Sequence, residues 1–129
     1  MATISRFEDI KAWQQARELC KVIHSYTIKP EFSRDFRLVG QIKGSSGSIM
    51  DNIAEGFERN GNREFIQFLS IAKGSSGETR SQLYRALDNE YISQEEFDKA
   101  FQMAEESSKL ISGFMDYLSK SEIKGSKFK

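Results

Sequence analysis

Apolar residues recur along this chain at three- and four-residue intervals, which places them on single helix faces, and no sustained alternation of the strand kind occurs. The first run predicts a helix over Phe7–Thr27, with Trp13, Ala16, Leu19, Cys20, Ile23 and Tyr26 on one broad face. Pro30 and its neighbours Lys29–Ser33 break it, because proline disfavours helical geometry at the residue before it. A second helix, Arg34–Glu58, buries Leu38, Ile42, Ile49 and Ile53. Asn60-Gly61-Asn62 stops that helix and restarts the next, asparagine being a good cap. The third helix, Arg63–Asn89, turns Phe65, Leu69, Ala72, Leu83 and Leu87 inward. Ser93 and Glu96 form a capping box that opens a fourth, lasting to Ser119, with Phe97, Phe101, Ala104, Ile111, Met115 and Leu118 as its stripe. The pattern predicts an all-α fold: an antiparallel up-down-up-down four-helix bundle over residues 1–119, then a flexible Lys-rich tail over 120–129. A three-helix alternative would have to carry helix straight through Asn-Gly-Asn.

Composition narrows the function classes. The 129 residues fit one domain, and a single proline leaves long stretches free to be helical. One cysteine excludes an internal disulfide and a Cys-based zinc cluster, and points to a reducing, cytoplasmic compartment. No apolar run approaches the ~20 residues needed to span a bilayer, and the N-terminus lacks a secretion-signal layout. The 19 basic and 19 acidic residues cancel, which argues against a simple polybasic nucleic-acid binder. The cancellation is uneven, however. Residues 34–85 carry eight bases against six acids, residues 86–119 two against eight, and residues 120–129 four against one.

Five interior glycines stand out, since each costs about 0.5–1 kcal/mol relative to alanine. Gly40, Gly44 and Gly47 project opposite the Ile42/Ile49/Ile53 stripe, and Gly74 and Gly77 opposite Leu69, Ala72 and Leu83. Either they are tolerated on a solvated face, or they permit close approach of helices from another subunit. Ile66, Ile71 and Tyr84, with Leu110, Phe114 and Tyr117, also lie off the core stripes and favour the second reading, a homo-oligomer. The segment Lys43-Gly-Ser-Ser-Gly-Ser48 recurs as Lys73-Gly-Ser-Ser-Gly-Glu78, but without the strand that a P-loop requires.

Gln41, Ser48, Asn52, Glu55 and Arg59 form a separate polar stripe within about 60° of one another. Glu55 and Arg59 have the spacing of a helical ion pair, and Asn52 at mid-helix needs a partner. Here the chain resembles a known family. Gln41-Ile42-Lys43, Ser48-Ile49, Asn52-Ile53-Ala54-Glu55-Gly56 and Arg59 carry the likeness. So do Glu64-Phe65-Ile66-Gln67-Phe68-Leu69, Ala72, Gly74-Ser75, Glu78, the Trp13 region and Glu90-Tyr91-Ile92. Together these are similar to the four-helix bundle proteins named after the intervening sequences of 23S rRNA genes. The resemblance implies a four-helix protomer, a homopentameric ring, no enzymatic activity and a nucleic-acid or ribonucleoprotein role. It extends to the accessory protein of diversity-generating retroelements, a basic pentameric barrel that partners a reverse transcriptase and its RNA. Where the family usually has an arginine pair, this chain has Lys43-Gly44, which removes bidentate phosphate geometry.

Catalytic chemistry finds little material. His24 lacks the Glu-x-x-His context of a di-iron bundle, and with Cys20 it offers at most half a metal site. A non-enzymatic protein is expected, without cofactor, metal, membrane or small-molecule substrate. Arg34, Arg37, Lys43, Arg59, Arg63, Lys73, Arg80 and Arg85 are the candidate RNA- or DNA-binding residues, multiplied by symmetry. Gly40, Gly44, Gly47, Ile66, Ile71, Gly74, Gly77 and Tyr84 are the candidate oligomer interface. The alternative is a protein-interaction scaffold using the polar stripe and the acidic last helix, and a third option is that the stripe only knits subunits together.

Overall fold

The computed structural model describes residues 4–123, and every regular element among them is helical. A 3₁₀ turn at Phe7–Asp9 precedes α1 (Lys11–Thr27), the one-turn α2 (Pro30–Ser33), α3 (Phe36–Glu58), α4 (Asn62–Asp88) and α5 (Gln94–Ile123). The four long helices match the four apolar runs, while their ends carry the differences. The first predicted helix starts late because Ile10 is extended (φ −78°, ψ 122°) and buries its side chain, separating the 3₁₀ turn from α1. Pro30 is a helix starter as well as a breaker. Lys29 before it is extended, and proline then occupies the first helical position, where a missing N–H removes no intrahelical bond. That single turn buries Phe32 completely and stacks it on Tyr91 with ring centroids 5.1 Å apart.

Caps decide the remaining boundaries. Asp35 Oδ1 accepts from the Leu38 amide at 3.0 Å, so α3 starts after it. The predicted box opens α5: the Glu96 amide donates to Ser93 Oγ (3.1 Å) and the Ser93 amide to Glu96 Oε1 (2.8 Å). Asn62 does not cap α4. Gly61 takes that position at φ 153°, where side chains are rarely tolerated. The buried Asn62 amide instead donates to the Leu118 carbonyl at 3.1 Å, tying the start of α4 to the last turns of α5. α5 continues past residue 119 to Ile123, with Lys120 paired to Asp116 at 3.2 Å. Of the tail predicted over 120–129, residues 124–129 lie outside the described residues.

α3 packs on α4, α4 on α5, and α1 on both α3 and α5, around one core. The predicted inward residues Ile42, Ile49, Ile53, Phe65, Leu69 and Ile111 are all fully buried. Contact register is orderly. As α3 proceeds from Gln41 through Ser45 and Ser48 to Gly56, its partners on α4 recede from Arg85 through Gln82 and Ser75 to Phe65. Between α4 and α5 the pairs are Asn62 with Leu118, Ser76 with Ala104 and Tyr84 with Phe97. No helix among the described residues is long and apolar enough to cross a membrane.

Candidate nucleic-acid interface

The polar stripe of α3 lies along its contact with α4. Asn52 Nδ2 donates to the Ser48 carbonyl and to Ser48 Oγ, both at 2.9 Å, and Ser75 of α4 donates to the same hydroxyl at 2.8 Å. Arg85 Nη1 reaches across from α4 to Gln41 Oε1 at 3.0 Å. Glu55 and Arg59 make the predicted pair at 3.1 Å, and the Arg59 guanidinium stands 4.9 Å over the Phe68 ring. Three of the five stripe residues therefore bond directly to α4 or lie against it, and Asn52 joins them through Ser48.

Beneath the stripe is a buried hydroxyl seam that the predicted core lacks. Ser45 donates to Gln82 Oε1 at 2.6 Å and shares a hydrogen bond with Thr79 at 2.8 Å. Ser76 donates to the Ala104 carbonyl at 2.7 Å and accepts from Ser108 at 2.9 Å. Ser45, Ser46, Ser75 and Ser76 belong to the repeated Lys-Gly-Ser-Ser-Gly segments, which lie against each other across α3 and α4. Their Gly/Ser letters suggest surface, but Ser45 and Ser46 fall three and four residues after Ile42, and that spacing is the signal of burial.

The eight candidate basic residues do not form one patch. Arg37 and Arg85 both act on the Asp35 carboxylate at the start of α3, and Arg34, three residues before Arg37, is exposed. Lys43 turns to the α1 side, its Nζ 3.5 Å from His24 Nδ1. Arg80 lies on the α5 side, 6.0 Å over Phe101, and Lys73 lines a shallow groove there with Ile66, Met115 and Asp116. Arg59 and Arg63 are exposed at the far end, where α3 passes into α4. Gln41 and Glu55, the partners of Arg85 and Arg59, are separated by roughly 20 Å of helix. Among the described residues Arg59 alone of the eight makes an ion pair.

The corner around Asp35 was not singled out by the residue pattern. Its carboxyl is held below its ordinary value, first by the Leu38 amide and then by the Tyr91 hydroxyl, which donates to Oδ2 at 2.9 Å. Tyr91 is correspondingly raised by that bond. Elsewhere, burial raises the Cys20 thiol, against a hydrogen bond from Ser46, so Cys20 and His24 face different neighbours. Among the described residues no group of three or more His, Cys, Asp or Glu side chains could hold a metal ion.

The candidate interface residues divide in the same way. A Cβ at Gly40, Gly44, Gly47 or Gly74 would meet nothing within 4 Å, so these glycines do face away from the core. A Cβ at Gly77 would touch only the Arg80 side chain, at 3.5 Å. Ile71 is 53% exposed and Tyr84 51%, but Tyr84 already packs on Phe97 and Phe101 of α5. Ile66 is half-buried against the core, which weakens its claim to an outer surface.

Comparison with known proteins adds the context. A family model described as 23S rRNA-intervening sequence protein matches residues 8–113. A solved structure similar to this one is a protein of unknown function from the S23 ribosomal protein family of Bacteroides thetaiotaomicron. It is 25% identical, with a TM-score of 0.74, over 81% of this chain and 97% of that chain. No curated protein matches the chain.

Proposed function

The chain belongs to the 23S rRNA-intervening sequence protein family, and from that premise we propose that it is a non-enzymatic RNA-binding protein acting as a homo-oligomer. Its protomer is an up-down-up-down four-helix bundle, a reading supported by the opposed contact registers along α3–α4 and α4–α5. The observation that carries the RNA reading is the arginine group at the start of α3. Arg34, Arg37 and Arg85 make no ion pair among the described residues; Arg37 and Arg85 act on the Asp35 carboxylate, already engaged by an amide and a phenol, and Arg34 precedes it in sequence. Guanidinium groups outside direct ion pairs are suited to phosphate oxygens. One protomer supplies only a small excess of positive charge over residues 34–85. A ring of copies, a pentamer in this reading, multiplies it into useful affinity.

The open glycine face of α3 and α4, beside exposed Ile71, supports assembly through these helices. A reducing cytoplasmic setting suits the single, half-buried thiol. The protein-scaffold reading draws on α5, where Asp98, Glu105 and Glu106 line a shallow groove of about 400 Å³ with Lys109. Anisotropy of a labelled single-stranded RNA separates the two. The RNA reading predicts binding at low salt that falls when Arg34, Arg37 and Arg85 are replaced together by alanine. Binding by neither protein at low salt would favour the scaffold.

A further inference from the structure

We propose that Phe36 is a stacking platform for one unpaired nucleobase, with Arg34 and Arg37 holding the flanking phosphates. The proposal rests on the RNA-binding reading and gives it a place and a substrate form, single-stranded RNA. Phe36 is 84% exposed, well beyond Ile28 at 63% and the other exposed large apolar residues. Such exposure is ordinary on a loose loop, but Phe36 is the first residue of α3 and its mount is braced. Its amide donates to the Arg34 carbonyl at 3.0 Å, a tight turn that precedes the helix. Asp35 caps α3 through Leu38, Tyr91 holds the other carboxylate oxygen, and Tyr91 stacks on the fully buried Phe32. Three elements thus fix the backbone that presents the ring, so little order is lost when a flat ligand lands on it.

The neighbours select the ligand. Arg34 and Arg37 flank Phe36 in sequence, and Arg37 and Arg85 both act on Asp35, so guanidinium groups border this corner. The Asp35 carboxylate accepts from Leu38 and Tyr91, and Glu31 of α2 also acts on Tyr91. An aromatic face bordered by arginines is the arrangement that binds a single strand, by stacking on a base and pairing with its backbone. A protein partner fits less well. Stable protein interfaces bury on the order of 1,200 Å² or more in total, far beyond one ring among charged neighbours.

The test compares the full-length protein with Phe36→Ala and Phe36→Tyr, using a labelled uridine oligomer of about ten nucleotides and a duplex RNA. Phe36→Ala is expected to weaken single-strand binding on the order of 10-fold. The salt dependence should stay unchanged, because the phosphate contacts remain. Phe36→Tyr keeps the wild-type affinity, and duplex binding changes in neither variant, since paired bases offer no free face. Circular dichroism is expected to match wild type, the side chain lying outside the core. Equal single-strand binding by wild type and Phe36→Ala overturns the platform and leaves the RNA reading standing. A loss of assembly mass in Phe36→Ala overturns it in favour of a contact between copies. Absence of binding by wild type to either RNA overturns the RNA reading, and the platform with it.

Discussion

A Cβ placed on Gly56 would stand 2.7 Å from Phe65 Cδ1 and 2.8 Å from Phe68 Cβ, while one on Gly44 would meet nothing within 4 Å. The two glycines therefore respond in opposite ways to alanine. Gly56→Ala must push α4 from α3, and a loss of about 1–3 kcal/mol is expected from denaturant unfolding. Gly44→Ala in an isolated protomer gains about 0.5–1 kcal/mol from helix propensity. If instead Gly44 packs on a neighbouring subunit, the same change lowers the assembly mass measured by light scattering. Asp35 offers a residue-scale test in pH. Its folded pKa lies below the ordinary 3.8 because the charged form accepts from Leu38 and Tyr91. Its stabilisation is thus present above the ordinary value and lost as pH falls through the folded one. Asp35→Asn should melt lower than wild type at neutral pH, and the difference should close on acidification. A constant gap across the acid range would show that the carboxylate charge contributes nothing.

Between α3 and α4 the helices meet through hydroxyls as well as methyls. Ser45→Ala leaves the buried Gln82 carbonyl without its 2.6 Å donor and is expected to cost about 1–3 kcal/mol. Adding Gln82→Leu removes the stranded acceptor and should recover part of that loss; no recovery would place the defect in packing. The seam also shows what the chain made legible and what it did not. Ile42, Ile49 and Ile53 were legible because apolar spacing reports a buried face directly, and Ser93–Glu96 because a capping box is local chemistry. Ser45 carried only the faint signal of its spacing from Ile42, and Ser76 and Thr79 were not legible, since their partners Ala104 and Ser45 lie on other helices. Asn62 fits a local cap, but its partner lies 56 residues away. Pro30 signals a break, yet the single turn it starts exists because Phe32 finds Tyr91. Of the candidate site, the polar stripe was legible as a face. The division of the basic residues among several sides, and the exposed Phe36 corner, required the packing of all four long helices.

At the scale of the whole molecule, one neutral chain separates its charges: a mildly basic stretch over residues 34–85 against an acidic α5. The protomer offers one compact arginine corner rather than a basic wall, so the proposed RNA affinity depends on copies acting together. Assembly and binding should therefore fall in parallel, and a variant that becomes monomeric should lose most of its affinity even with every arginine in place. The outward α3–α4 surface, with its open glycines and exposed Ile71, is where such a variant is best made; Ile71→Glu should dissociate the oligomer while preserving the helical content of each chain. The most direct test of RNA binding is a titration of labelled single-stranded RNA with the wild-type protein at salt concentrations from about 50 to 200 mM. Saturable binding is expected at the lowest salt, weakening linearly on logarithmic axes as salt rises. No binding at about 50 mM salt, by protein shown to be folded and assembled, would contradict the RNA reading.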